Sequence, residues 1–287
     1  MKAKVYFSRT ITPEMVVALC EKTGKKLPGK VAVKLHTGEV GNQNFIKPVF
    51  WKPAVEMVHG TVVECNTAYG GERDTTEQHI RTLEKHGWTK MFTVDLLDAE
   101  GPDMELSIPN GKRIKKNFVG KDLANYDSML VLTHFKGHVM GGFGGSLKNI
   151  AIGCASGKTG KAQLHSDGTN LWAGGPLFME RMVEGGKAIT THFKGHMAYI
   201  NVLRRMSVDC DCAGTSAAEP TAPDIGILAS TDLLAVDQAS VDMVYALPEQ
   251  QRHDLVERIE SRSGLRQLEY METLGMGHAR YDLVSLS

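Results

Sequence analysis

A four-residue apolar run, Met129-Leu130-Val131-Leu132, passes directly into a glycine- and histidine-rich stretch at 133–145. An unbroken run of this kind marks a strand covered on both faces, and such strands belong to parallel sheets flanked by helices. The polar stretch after it then falls at the carboxyl end of the strand, where open α/β sheets bind ligands.

The rest of the chain alternates to match. Strands are expected at 4–7, 30–35, 61–66, 91–96, 114–118, 128–132 and 224–228, with 188–191 extended. Helices are expected over 13–23, 48–59, about 76–86, 178–187, 240–247 and 254–268. Thr12 ahead of Pro13 is a helix-start signal, and Thr75 and Thr76 are a second one. The fold class is α/β, a mostly parallel covered sheet with helices on both faces. The 287 residues suit a single α/β domain over 1–287, with room for a sub-domain division near 125–190.

Charge narrows the partners. Lys+Arg and Asp+Glu both number 33, which argues against a broad basic surface for nucleic acid or anionic lipid. Lys112, Arg113, Lys115 and Lys116 form the densest local patch and read as a solvated turn. No apolar run reaches the roughly 18–20 residues a bilayer span needs. The first ten residues alternate like a strand and lack a signal-peptide core. The expectation is a cytoplasmic protein with no membrane partner. Five cysteines, an odd number, make no disulfide framework and read as reduced thiols or metal ligands.

Three constellations carry chemistry. The first runs from His134 through His138 and Gly-Gly-Phe-Gly-Gly to Lys148. Its glycines let backbone approach a ligand, and amides opening a helix at Ser146 can cradle an anion. The spacing is not that of a nucleotide P-loop. His134 and His138 can carry protons or bind metal. The hexapeptide Thr-His-Phe-Lys-Gly-His occurs at 133–138 and again at 191–196, either by coincidence or as two loops converging on one site. The second constellation is Cys210-Asp211-Cys212, whose paired sulfurs suit iron, zinc or nickel, with further ligands from Cys154, Cys65 or a histidine. The third is Arg73, placed after a strand, which could hold a carboxylate by two hydrogen bonds. Asp237 and Asp242 read as structural acids.

These blocks resemble a family. Val33-Lys-Leu-His36-Thr-Gly-Glu39, Thr133 to His138, Ser146-Leu-Lys148-Asn149 to Cys154, Gln163-Leu-His165 and Cys210-Asp-Cys212 look like the uncharacterised iron–sulfur-centre proteins, a domain-of-unknown-function family. The likeness covers about 1–245. Many members carry a ferredoxin insertion after the His165 block; here 166–188 holds no cysteine, which excludes a conventional ferredoxin pair. More distantly, His138, Lys148 and His165 resemble a motif of the nickel-dependent lactate racemase superfamily. That resemblance implies an acid/base role for His138, a nucleotide-type organic cofactor on Lys148, and metal ligation by His165.

The combined expectation is a metal- or cofactor-dependent enzyme moving a proton or hydride on a small carboxylate or hydroxy acid. His138, His134 and Arg73 are its catalytic candidates. Lys148, Gly142, Gly144, Gly145 and Asn149 would bind cofactor. His165, Cys210, Cys212 and Cys154 would bind a nickel, iron or zinc ion. The partners expected are a small-molecule substrate and an electron-transfer protein. The alternatives are a metal- or iron–sulfur-binding protein without turnover, and a zinc hydrolase using His134 and His138.

Overall fold

A computed structural model describes residues 2–101 and 103–286. Its strands are β1 (Ala3–Ser8), β2 (Val31–Lys34), β3 (Thr61–Glu64), β4 (Val94–Leu96), β5 (Met104–Ser107), β6 (Lys116–Val119), β7 (Ser128–His134), β8 (Lys136–His138), β9 (Gly142–Gly144), β10 (Met197–Leu203), β11 (Gly226–Ser230) and β12 (Tyr281–Ser285). The helices are α1 (Pro13–Lys22), α2 (Pro48–Met57), α3 (Thr76–Lys85), α4 (Trp88–Met91), α5 (Ser146–Cys154), α6 (Thr159–His165), α7 (Pro176–His192), α8 (Leu233–Tyr245), α9 (Glu249–Ser261) and α10 (Arg266–Thr273). None of them is long and apolar enough to cross a membrane.

Eight strands form one sheet in the order β12-β1-β11-β10-β7-β2-β3-β4. From β10 through β7, β2 and β3 to β4 every pairing is parallel. β11 runs antiparallel to both neighbours, and β12 is parallel to β1. β7 is buried along its whole length, as an unbroken apolar run requires. Met129 and Val131 join one core layer with Leu147, Met179 and Val236; Leu130 and Leu132 join the other with Val16, Trp51 and Trp88. Helices therefore cover both faces, and the carboxyl ends of β2, β3 and β7 open on one edge.

Several expected elements shift. Residues 188–191 are not extended but form the last turn of α7. Their β-branched Ile and Thr favour a strand locally, yet Ile189 packs in the core with Met182 and Val183, and the helical period wins. The strand that follows, β10, went unread. The helix expected over 240–247 starts earlier, at Leu233, where the Asp232 side chain caps the Ala235 amide at 2.9 Å. The single helix expected over 254–268 breaks at Ser263, which has φ 58°, and Gly264.

The hexapeptide copies do not converge. The first ends β7 and makes β8; the second closes α7 and leads into β10. β7 and β10 are parallel, with Met197 opposite Met129, so the copies lie at opposite edges of the sheet.

Candidate functional site

The glycine stretch folds as the β8–β9 hairpin, with Gly142 at φ +75° starting the return strand. It then opens α5, but the amides there are not free for a ligand. Asp237 takes them: its two carboxylate oxygens accept from Ser146 N at 2.7 Å and Leu147 N at 2.9 Å. The anion at this helix start is the protein's own. Gly142, Gly144 and Gly145, expected to bind cofactor, do not line the adjoining cavity. A Cβ on Gly145 would fall 2.5 Å from Asp237 Oδ1, so this glycine admits the cap.

The hexapeptide has a different task. His134 Nδ1 lies 3.0 Å from both Asp211 oxygens, and its Nε2 lies 2.6 Å from the Arg204 carbonyl. Lys136 Nζ reaches Asp211 Oδ2 at 2.9 Å. Burial opposes charge on Asp211, but these cations hold its carboxyl well below the usual range. His134, expected beside His138 as a catalytic candidate, is thus engaged with Asp211 and does not line the cavity. The pair His134 and Lys136 pins the Cys210-Asp211-Cys212 loop from beneath.

That loop faces a cavity of about 360 Å³ lined by His36, Arg73, His138, Lys148, His165 and Cys212, among others. Among the described residues, His138, Cys210 and Cys212 bring one potential ligand atom each within 4.8 Å of one another. Lys148 Nζ stands 3.3 Å from Cys210 Sγ. Hydrogen bonding from Cys212, with the charges of Lys148 and Lys136, pushes the Cys210 thiol far down. The same bond and burial push Cys212 far up. The two sulfurs are pushed in opposite directions, and burial, which opposes the Lys148 charge, is overcome by Cys210.

Hydrogen bonds set the three cavity histidines differently. His138 Nδ1 accepts from Gly141 N at 2.8 Å and Met140 N at 3.3 Å, so its proton sits on Nε2. Burial and Lys148 push its pKa well down and keep the ring neutral. His36 Nδ1 accepts from Gly38 N at 2.9 Å, which likewise leaves the proton on Nε2; this outweighs the looser 3.4 Å approach of Arg73. His165 is the reverse. Its Nδ1 lies 2.7 Å from the Lys161 carbonyl and donates to it, leaving a lone pair on Nε2. Burial lowers its pKa to about 4. The ring stacks on Phe178, with centroids 5.1 Å apart, and meets the edge of Trp172.

Arg73 lines the cavity but has no free fork. Nε bonds Glu39 at 3.1 Å, one terminal nitrogen bonds Glu64 at 3.4 Å, and the other bonds Tyr69 at 2.9 Å. Its place is to hold those groups, not to clamp a carboxylate. Asn149 lines the cavity and ties Lys34 O, Leu132 O and Thr133 Oγ1 together. Cys154 is buried outside the cavity, where its carbonyl accepts from the Cys65 thiol at 3.4 Å. It takes no part in the Cys210–Cys212 group. Residues not anticipated are Lys34, Glu64 and Lys161. A lysine inside the apolar run Val31-Ala32-Val33-Lys34-Leu35 was the readable signal for the first.

Fold and site together define an α/β protein whose parallel strands end at a pocket of histidine, lysine and cysteine. The chain belongs to the DUF362 family, described as a domain of unknown function, whose model matches residues 31–242. No curated protein matches it. A solved structure of the lactate racemase apoprotein from Thermoanaerobacterium thermosaccharolyticum is similar at TM-score 0.50 and 13% identity, over 83% of this chain and 56% of that one. A structural-genomics protein from Thermotoga maritima is similar at TM-score 0.42 and 12% identity, over 66% and 49%. The chain spans about half the length of these solved structures.

Proposed function

We propose that the pocket is the active site of a metal-dependent enzyme that moves a proton or hydride on a small carboxylate or hydroxy acid. The observation that carries this is the meeting of Cys210, Cys212 and His138 within 4.8 Å, at the edge of a pocket lined by Cys212, His138 and His165. Thiolate and imidazole donors together suit zinc, iron or nickel. Cys210 and Cys212 would hold the ion, with the free Nε2 of His165 as a further donor from the same pocket; His138 lies beside them, but its Nδ1 is taken by backbone amides and its Nε2 carries the proton. Once bound, the ion would polarise a substrate oxygen.

The chain's own groups would do the rest. His138, with its proton held on Nε2, would donate to a substrate oxygen and not take up a proton, as a neutral imidazole does when amides occupy its other nitrogen. Lys148 would balance the Cys210 charge. Arg73, through Glu39 and Glu64, would keep the far wall rigid. The solved neighbour named a lactate racemase agrees with a hydroxy-acid substrate, although the likeness itself extends to the fold alone.

Metal analysis of protein from its native host tests the reading. About one ion per chain is expected, lost in Cys210→Ser and Cys212→Ser, reduced in His165→Ala and retained in His138→Ala. Equal metal in wild type and both serine variants would sink it. A nucleotide-type group on Lys148 fits in one respect, since the amine reaches the pocket, and conflicts in another, since Cys210 already engages it. Intact mass decides: an excess that disappears in Lys148→Met would make Lys148 an anchor and not a counter-charge.

A further inference from the structure

Two ammonium groups in this pocket lack a partner of opposite charge. Lys34 is 1% exposed and Lys161 is 6% exposed, and both line the cavity. Lys34 Nζ donates to the Leu35 carbonyl at 2.6 Å and to Asn149 Oδ1 at 3.2 Å. Lys161 Nζ donates to the Ala155 carbonyl at 2.6 Å. Among the described residues, neither nitrogen has a carboxylate oxygen within 4.0 Å, whereas Arg73 and Lys136 each do.

Burial pushes the Lys34 amine below its ordinary value, and Glu64, which lines the same cavity, opposes that from further off. Its oxygens are committed to the Thr37 amide at 2.6 Å and to Arg73 at 3.4 Å. Burying an ammonium without a counter-ion costs several kcal/mol in an ordinary fold, and the usual answer is to replace it with an apolar side chain. This fold instead makes room for it. Gly153, inside α5, leaves the gap that the lysine end fills: a Cβ there would lie 2.3 Å from Lys34 Cε and 2.5 Å from Nζ. Glycine is a poor helix former, and at this position only glycine leaves the space that the lysine end occupies.

We propose that Lys34 and Lys161 form an anion subsite that receives the phosphate or carboxylate group of a ligand entering the pocket. The inference deepens the active-site reading, because it names the charge of the ligand, but it does not depend on the metal. Three donors on each ammonium leave hydrogen-bonding capacity toward the cavity after the carbonyl contacts are counted. The remaining cations do not compete for the anion, since Arg73 is paired with Glu39 and Glu64, and Lys148 with Cys210.

The test is titration calorimetry and thermal melting of the purified full chain with inorganic phosphate in one arm and acetate in the other. Wild type should bind at least one of the two and melt higher in its presence. Lys34→Met and Lys161→Met should each weaken binding about tenfold or more, and the double variant should abolish it. Both should melt no lower than wild type without anion, because each removes a buried charge. Gly153→Ala keeps both charges but displaces the Lys34 end, and should weaken binding too. Lys194→Met, at an exposed lysine, should bind as wild type does. Saturation by phosphate alone assigns a phosphoryl group, and saturation by acetate alone assigns a carboxylate. No saturable binding to wild type, or equal binding by the double variant, overturns the proposal. Metal content measured on the same samples separates the two readings: anion binding without metal leaves this subsite standing and removes the metal centre.

Discussion

Asp237 has no solvent exposure and accepts from two helix amides and from Asn201 Nδ2 at 2.8 Å. Burial raises its pKa and the hydrogen bonds lower it; burial prevails and leaves the value near about 6. The folded pKa therefore lies above the ordinary aspartate value of 3.8, and the folded state binds the proton more tightly. Its contribution is fully present below about pH 4 and is lost as pH rises to about 6, on the order of 3 kcal/mol. Asp237→Asn should flatten that stretch of the stability curve, read as urea midpoints at intervals across it. A slope unchanged by the substitution would mean the hydrogen bonds prevail instead. Individual residues were legible where a motif isolates them: Lys148, His138 and His165 do line one cavity. Lys161 was not, because nothing local distinguishes it from a solvated lysine, whereas Lys34 carries a signal in the apolar run around it.

The two copies of Thr-His-Phe-Lys-Gly-His show what an element adds to a sequence. After β7 the copy runs on as a strand, and His134 and Lys136 reach Asp211. After α7 it is a helix end, with Lys194 at φ 49° and Gly195 at φ +81° turning the chain toward β10. His134→Ala should cost about 2 kcal/mol or more in denaturant unfolding, since it strips a partner from a buried carboxylate. His192→Ala with His196→Ala should cost under about 1 kcal/mol and leave metal content unchanged. Comparable losses in both would put the second copy back into the site. Strand and helix types were readable where hydrophobic period and caps agree, as at Thr12, whose side chain accepts from Met15 N at 3.2 Å. They failed at the last turn of α7 and at β10, where local β-branching and tertiary packing point in opposite directions.

At the scale of the whole molecule, the pocket is assembled from residues brought together by the sheet. Lys34 ends β2 and His36 follows it, Glu64 ends β3, and Lys148, Lys161 and His165 come from α5 and α6. The α/β class was legible because patterns along the chain encode it. The pocket's full lining was not, because it depends on strand order, and β2, β3 and β7 become neighbours only in the folded sheet. Ligand entry should be visible by fluorescence. Trp51 and Trp88 are buried, whereas Trp172 is 41% exposed and lines the cavity. Ligand should shift tryptophan emission in wild type and not in Trp172→Phe; a shift that persists in the variant would place binding elsewhere. Trp172 also touches His165, whose ring lies against Phe178 in the core. Solvent and interior are thus joined through three rings in contact, with no aliphatic spacer to absorb a displacement. The imidazole whose lone pair faces the pocket is therefore braced by the interior on one side and by a solvent-facing indole on the other.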